Sequence, residues 1–188
     1  PGVDHYRLPF RYTGSATDVG TTLRLEAGRE LYWEDGGLVN ALSFSESGEV
    51  TGPLVFAGYG LVVPETDGFS YDSYATIDVA DKIVVVLRYF PEDSEGDLRS
   101  LFSRYAGLRF KASAARQRGA KGLLVVTGPR SPNAGELVRM TADTAVADSG
   151  IAAASVTGAV ADVLFELVPG KTLSQAQQEL DSGNPHVA

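Results

Sequence analysis

The side chains that could form a metal centre are few. The chain has two histidines, His5 and His186, near its opposite ends, and it has no cysteine. A zinc site built from histidines and carboxylates needs three or four ligands that converge in one pocket. Two histidines separated by nearly the whole chain do not supply such a set. We therefore expect that neither binds a metal and that the chain holds no cofactor.

Two short motifs begin like catalytic or nucleotide-binding motifs and do not complete them. Residues 68–72 start like a nucleophile elbow, G-x-S-x-G, but lack the closing glycine, and the interior of the chain has no histidine to act as a base. Residues 58–60 start a G-x-G-x-x-G motif, but Val63 stands at its last position and no helical pattern follows. We interpret the first as a loop serine and the second as a bulge or a close backbone approach. No catalytic residue is expected.

An acidic run, Glu-Asp-Ser-Glu-Gly-Asp, occupies residues 92–97. Such a run could hold a hard cation such as calcium, which prefers oxygen ligands. A charge run is more often a solvated loop, and this second interpretation is favoured. The sequence leaves both open.

The segment from Tyr89 to Arg104 is the candidate interaction loop. It follows a strand of parallel type, at whose carboxyl end ligands commonly sit. Aromatic and arginine side chains are the usual anchors of interfaces. The alternative is that Phe90 and Phe102 only pin the loop to the body. The candidate substrate-access or interaction residues are Tyr89, Phe90, Arg99, Phe102, Arg104 and Arg109.

A strand–helix–strand unit must position this loop. Ile83 to Leu87 and Leu123 to Val126 are apolar at both parities, which is typical of strands covered on both faces. Between them, apolar residues recur at helical spacing, and Gly119 follows the last of them, where a left-handed residue commonly ends a helix. The two strands should be parallel neighbours or near neighbours. The helical face consists of Tyr105, Leu108, Ala112 and Ala115.

Strands precede this unit and helices follow it. Alternating residues predict an extended arm over residues 6–12 and strands over 21–26 and 38–44, whereas residues 64–70 and 127–150 should be loops. A short strand at 151–156 precedes two helices, which Thr157 and the capping box Thr172-x-x-Gln175 should begin. This order predicts an α+β or three-layer domain.

Four pieces of sequence in this order resemble the protease-associated (PA) domain. They are Gly58-Tyr59-Gly60, Tyr71-Asp72-Ser73-Tyr74, the strand Asp78–Arg88, and Lys111–Val126 with its Gly119-Ala120-x-Gly122 turn. The likeness is greatest to the PA domain inserted in bacterial zinc aminopeptidases related to glutamate carboxypeptidase II, and it covers roughly residues 50–182.

The resemblance implies a twisted β-sandwich or open barrel with helices on one side, a three-layer β/β/α arrangement. Residues 1–49 would supply an arm and N-terminal strands, and residues 50–188 the domain core. It implies a non-catalytic domain that shapes access to the active site of a parent zinc aminopeptidase and makes protein contacts, in the extracellular space or the periplasm. Zinc would belong to the parent catalytic domain. In the related carboxypeptidase an arginine just ahead of the helix helps to bind substrate; here Leu108 stands at that position with Arg109 beside it.

The alternative is the PA domain of a subtilisin-like protease or a sorting receptor, where it would act as a protein-interaction module. A swivelling phosphohistidine domain has similar layers, but it needs an interior histidine that this chain lacks. We expect the partners to be the parent catalytic domain and a peptide or protein substrate.

Composition excludes several other classes. The 188 residues carry a net charge of −8, which argues against a nucleic-acid surface because phosphate binding needs concentrated positive charge. No apolar run approaches the roughly 20 residues that span a bilayer. The chain begins Pro1-Gly2-Val3 without an initiator methionine or a signal peptide, so we expect part of a longer protein. As in an inserted domain, its two ends should lie close together.

Overall fold

The computed structural model describes residues 18, 20–27, 30–34, 37–66, 68–140, 149–167, 170–183 and 185. Within them the elements are β1 (Thr22–Glu26), β2 (Glu30–Glu34), β3 (Val39–Ala41), β4 (Leu54–Phe56), β5 (Val62–Thr66), β6 (Phe69–Asp72), β7 (Ile83–Leu87), α1 (Gly96–Tyr105), α2 (Leu108–Gln117), β8 (Gly122–Val126), β9 (Ala152–Val156), α3 (Gly158–Glu166) and α4 (Leu173–Asp181). The predicted arm at residues 6–12, both histidines and both chain ends lie outside the described residues, so the expectations about them remain predictions.

A five-stranded sheet with the order β3-β9-β8-β7-β4 forms the centre. The four strands β4, β7, β8 and β9 are parallel to one another, and the edge strand β3 runs antiparallel to β9. The predicted parallel pairing across the strand–helix–strand unit is confirmed, since Ile83 pairs with Gly122 and Leu87 with Val126. Two separate hairpins, β1-β2 and β5-β6, complete the strands.

The alternation of side chains along β7 and β8 divides the core into two clusters. Val85, Leu87, Leu124 and Val126 belong to the first cluster together with residues of α1, α3 and α4. Val84, Val86, Leu123 and Val125 belong to the second, together with Ala112 and Ala115 of α2. Both faces of the sheet are therefore covered, as the unbroken apolar runs predicted. The α+β class is confirmed, with helices contributing to both clusters.

The predicted central helix is α2, and a further helix, α1, precedes it. Gly107 has an extended backbone, with φ −58° and ψ 135°, and it separates α1 from α2. The segment 89–104, predicted as a loop, contains most of α1. Apolar residues at i, i+3, i+4 and i+7 drive that helix onto the first cluster: Leu98, Leu101, Phe102 and Tyr105.

The residues predicted to begin and end helices do so. Gly119 has φ +84°, its N–H donates to Arg116 O (2.9 Å), and the N–H of Ala120 donates to Ala115 O (3.1 Å), which is the Schellman arrangement. Thr157 caps α3 through the N–H of Val160, and the capping box of Thr172 and Gln175 is present at α4.

Residues 64–66 and 69–70, predicted as parts of a loop, lie in strands. They belong to the hairpin of β5 and β6, whose pairing shifts register between Val63 and Thr66. Pro64 lies within β5, because a two-stranded sheet has edges on which a proline is tolerated. Residues 127–140, by contrast, contain no helix or strand, in agreement with the prediction for that part of 127–150.

Candidate functional site

The six candidate interaction residues do not form one surface. Phe102 is 0% exposed and packs edge-on against Phe69 (5.9 Å between ring centroids) and Tyr71 (5.0 Å). Phe90 is half-buried beneath the guanidinium of Arg99, which lies 5.0 Å from the ring centroid. The pinning interpretation therefore holds for Phe102, which is not available for a contact. Arg104 is exposed and Arg109 is half-buried; whether these arginines contact a substrate remains a prediction.

Lys111 holds the end of the central strand in place. Its side chain is 0% exposed, and Nζ donates to Leu87 O (2.7 Å) and Tyr89 O (2.6 Å). These bonds fix the chain where it leaves β7, and Tyr89 has a left-handed φ of +66° there. Burial lowers the pKa of Lys111 well below its usual value. Its amine ties α2 to β7 and does not open onto a cavity.

A buried polar network joins α4 to the carboxyl edge of the sheet. The hydroxyl of Tyr59 donates to Asp181 Oδ1 (2.5 Å), and Arg130 Nε donates to Asp181 Oδ2 (2.6 Å). The N–H of Glu92 also donates to Oδ1 of this carboxylate, at 3.1 Å. Because Asp181 is only 1% exposed, its charge must be satisfied by such bonds. The network fixes the loops that follow β7 and β8.

Gln177 completes the same network one helical turn earlier. Its Nε2 donates to the hydroxyl of Tyr59 (3.1 Å) and to Ser131 Oγ (2.9 Å), and its Oε1 accepts from the N–H of Arg130 (3.0 Å). These bonds anchor α4 to Tyr59 and to the segment that follows β8.

The buried tyrosines predict how stability depends on pH. Burial raises the pKa of Tyr59, Tyr71 and Tyr74 far above the ordinary value of about 10. Above pH ~10 these tyrosines lose protons in the unfolded chain only, so the free energy of unfolding should fall by up to about 1.4 kcal/mol per pH unit for each. Urea unfolding between pH 7 and 11 measures this.

Lys111 has the opposite effect on the pH dependence of stability below pH ~10. In the interval between its lowered pKa and about 10.4, the unfolded chain binds more protons than the folded one, so stability should rise with pH. Lys111→Met should flatten that rise and leave the alkaline fall unchanged. Stability that stays constant up to pH 11 in both chains would contradict the prediction.

A groove lies where α2 begins. We call it the α2 groove; it has a volume of about 410 Å³, and its lining includes Leu42, Phe44, Leu108, Arg109, Phe110 and Arg139. The guanidinium of Arg109 lies 5.1 Å from the ring centroid of Phe44. Phe110 is 61% exposed and also lines a second cavity of about 220 Å³ on its other side. An exposed aromatic ring between two cavities is available to a binding partner.

One stretch of the chain is basic although the chain as a whole is acidic. Residues 98–135 contain no Asp or Glu and eight of the sixteen Lys and Arg residues. Three of the eight pair with carboxylates outside that stretch: Arg118 with Asp72, Lys121 with Asp81, and Arg130 with Asp93 and Asp181. Arg104, Arg116 and Arg139 are exposed, and no ion pair joins them to an acidic residue in the described part of the chain. The ion pairs of the described residues therefore leave the guanidinium groups of these three arginines on the surface.

Two residues of the acidic run at 92–97 contact groups elsewhere in the fold. Asp93 lies 3.4 Å from Arg130, the backbone of Glu92 binds Asp181, and α1 begins at Gly96. Among the residues that the structure describes, no group of three or more His, Cys, Asp or Glu side chains could hold a metal ion. The described donors thus do not fit a zinc centre.

None of the described helices is both long enough and apolar enough to pass through a membrane.

Comparison with known proteins defines the class. A family model described as "PA domain" matches residues 50–164, more than half of the chain. The chain therefore belongs to the PA domain family, as its four ordered motifs indicated. No curated protein matches it.

A solved structure, an aminopeptidase from Aneurinibacillus sp. strain AM-1, is similar at 19% identity and a TM-score of 0.49. The similarity covers 86% of this chain and 30% of that one.

Sequence reasoning missed the α2 groove and the network around Asp181. The groove combines residues 42–44, 107–110 and 138–139, which are neighbours only in the fold. One signal was available for it, the acid-free stretch 98–135. For the Asp181 network there was none, since its members lie far apart along the sequence.

Proposed function

We propose that this chain is a non-catalytic PA domain of a zinc aminopeptidase, where it shapes the access of peptides to the parent's active site. The observation that carries the proposal is the match of residues 50–164 to the PA family. The type of parent enzyme is inferred from the four motifs, because their order resembles that in the PA domains inserted in zinc aminopeptidases. Zinc and catalytic groups would belong to the parent's own domain. The resemblance to PA domains of such enzymes supports a secreted or periplasmic location for the parent.

The surface best suited to this work is the one around α2. The α2 groove, the exposed ring of Phe110 and the basic side chains beside it form an amphipathic surface of the kind that contacts peptides. The opposite end of α2, by contrast, is tied to the sheet through Gly119. We assign peptide contact to the groove and a structural role to Lys111 and the Asp181 network.

The gene that encodes this chain provides the first test. Flanking sequence with the His, Asp and Glu motifs of a two-metal centre supports the proposal. A serine triad or a transmembrane helix in the flanks would instead identify the protein-interaction module of a subtilisin-like protease or a sorting receptor.

The second test measures access in the full-length parent. We would compare kcat/KM for a single aminoacyl anilide with kcat/KM for a decapeptide, in the parent enzyme and in Phe110→Ala. The ratio of decapeptide to anilide activity should change by about fivefold, roughly 1 kcal/mol, when the groove loses its aromatic ring. An unchanged ratio in both Phe110→Ala and Arg139→Glu would overturn the access role.

A further inference from the structure

We propose that Lys111 is a pH-sensitive latch, whose uncharged amine holds the segment between β7 and α1 closed and whose protonation releases it. We call residues 88–95 the latch segment; it includes Tyr89 and Phe90 of the candidate interaction loop. The inference concerns when those two rings are free to make contacts, and it does not depend on the proposed function.

The surroundings of the Lys111 amine match its neutral form. Nζ donates to Leu87 O (2.7 Å) and to Tyr89 O (2.6 Å), and no third hydrogen-bond acceptor for it occurs among the described residues. A neutral amine has two N–H groups, whereas an ammonium group has three. Because the side chain is 0% exposed, a proton added to the amine would leave one donor buried without a partner, which is unfavourable.

The titratable groups around Lys111 do not offset a charge on it. Tyr59 faces the amine from the connection between β4 and β5, and its ring centroid lies 5.7 Å from Nζ, near the outer limit of a cation–π contact. Asp181 of α4 accepts hydrogen bonds from Tyr59, Glu92 and Arg130, and none from Lys111. Burial without a pairing carboxylate is what lowers the pKa of Lys111.

The latch segment is closed against its own backbone preference. Tyr89 has φ +66°, a left-handed conformation that is unfavourable for a residue with a Cβ atom. The carbonyl group of the same residue accepts one of the two bonds from Lys111. Loss of this bond would let Tyr89 leave the strained conformation, and the N–H of Glu92 would then separate from Asp181.

Opening of the latch segment should therefore increase as pH falls. When the segment is open and water reaches the amine, Lys111 binds a proton at about pH 10.4, whereas in the closed segment it does so only at lower pH. Between these two values opening takes up one proton, so the opening constant should rise about tenfold for each pH unit of decrease. Below the lower value it should become constant, since the amine is then charged in both states.

Hydrogen exchange in the 188-residue chain, followed by NMR between about pH 7 and 9.5, tests the latch. The reporters are the amides of Glu92 and Ser94, which donate to Asp181 Oδ1 and to Pro91 O. Their protection factors, which exclude the intrinsic pH dependence of exchange, should be smaller than those of β7. They should rise about tenfold per pH unit above the pKa of Lys111, whereas those of the hairpin β1-β2 should not.

Two substitutions of the same kind locate the effect. Lys111→Met removes the titrating amine and both of its bonds, so protection of the two reporter amides should fall at about pH 9.5 and lose its slope. Lys121→Met removes an exposed amine that pairs with Asp81, and it should leave the slope unchanged. Isotope labelling of the lysine side chains measures the pKa of Lys111 in the unaltered chain, so the inference stays testable if Lys111→Met does not fold.

Four results would overturn the inference. One is protection at Glu92 and Ser94 that does not change with pH, and another is a slope that survives in Lys111→Met. The third is a pKa of Lys111 at about 10.4 in the folded chain, which would mean that the amine is charged throughout. The last is protection at the two reporters equal to that of β7, because the segment would then open only when the whole chain unfolds.

Discussion

Phe102→Ala is expected to lower the free energy of unfolding by about 3–5 kcal/mol, the usual cost of truncating a fully buried phenylalanine. Phe102 is the one buried residue of α1, and its ring meets Phe69 and Tyr71 edge-on. Alanine would leave a cavity between α1 and the β5-β6 hairpin. The loss should be measured by urea unfolding, and the amide protons of α1 should exchange faster in the same variant.

Phe110→Ala is the matched control for this substitution. It removes the same atoms from a ring that is 61% exposed, so its cost should stay below about 0.5 kcal/mol. If the two variants were destabilised equally, Phe102 would not be the residue that fixes α1 to the core.

Gly60→Ala is expected to cost about 2–5 kcal/mol, from two separate causes. Gly60 has a left-handed φ of +61°, which costs a residue with a Cβ roughly 1–2 kcal/mol. That Cβ would also lie 2.6 Å from Cγ1 of Val86, in the middle of the core, and such overpacking costs about 1–3 kcal/mol. Thermal or urea unfolding measures the sum.

Gly68→Ala separates the two causes. Gly68 has φ +79°, and a Cβ there would meet no atom within 4 Å. Its cost should therefore be the backbone cost alone, about 1–2 kcal/mol. Equal losses at Gly60 and Gly68 would mean that the contact with Val86 relaxes freely and that only the backbone conformation matters at Gly60.

The contrast between Phe102 and Phe110 also shows how far the sequence could be interpreted. Both are phenylalanines near a predicted helix, and their types and spacing do not distinguish a core residue from an exposed one. The break at Gly107 turns α1 and α2 so that one ring enters the first cluster while the other stands in solvent. The sequence placed Phe102 in a loop and Phe110 in the helix that follows it, so it did not predict that a separate helix, α1, carries Phe102 into the core.

The sequence pattern was sufficient to predict strands and helix ends wherever the stabilising interaction joins residues close together in the chain. The apolar runs at 83–87 and 123–126 determined two covered parallel strands, because every side chain of such a run must be buried. Gly119, Thr157 and Thr172 determined helix ends, because a cap depends on backbone atoms only three to five residues away. The ordered motifs from Gly58 to Val126 determined the PA family.

The tertiary structure decided everything that depends on residues distant in the chain. Tyr59, Arg130 and Asp181 meet in one buried network although more than 100 residues separate the first from the last, and no periodicity encodes such a meeting. The α2 groove likewise exists only because the sheet brings residues 42–44 and 138–139 beside the start of α2. The sequence by itself determined the elements, their ends and the family, since these follow from patterns within a few residues. Packing between elements decided which aromatic ring is buried, which arginine is paired and where the α2 groove lies.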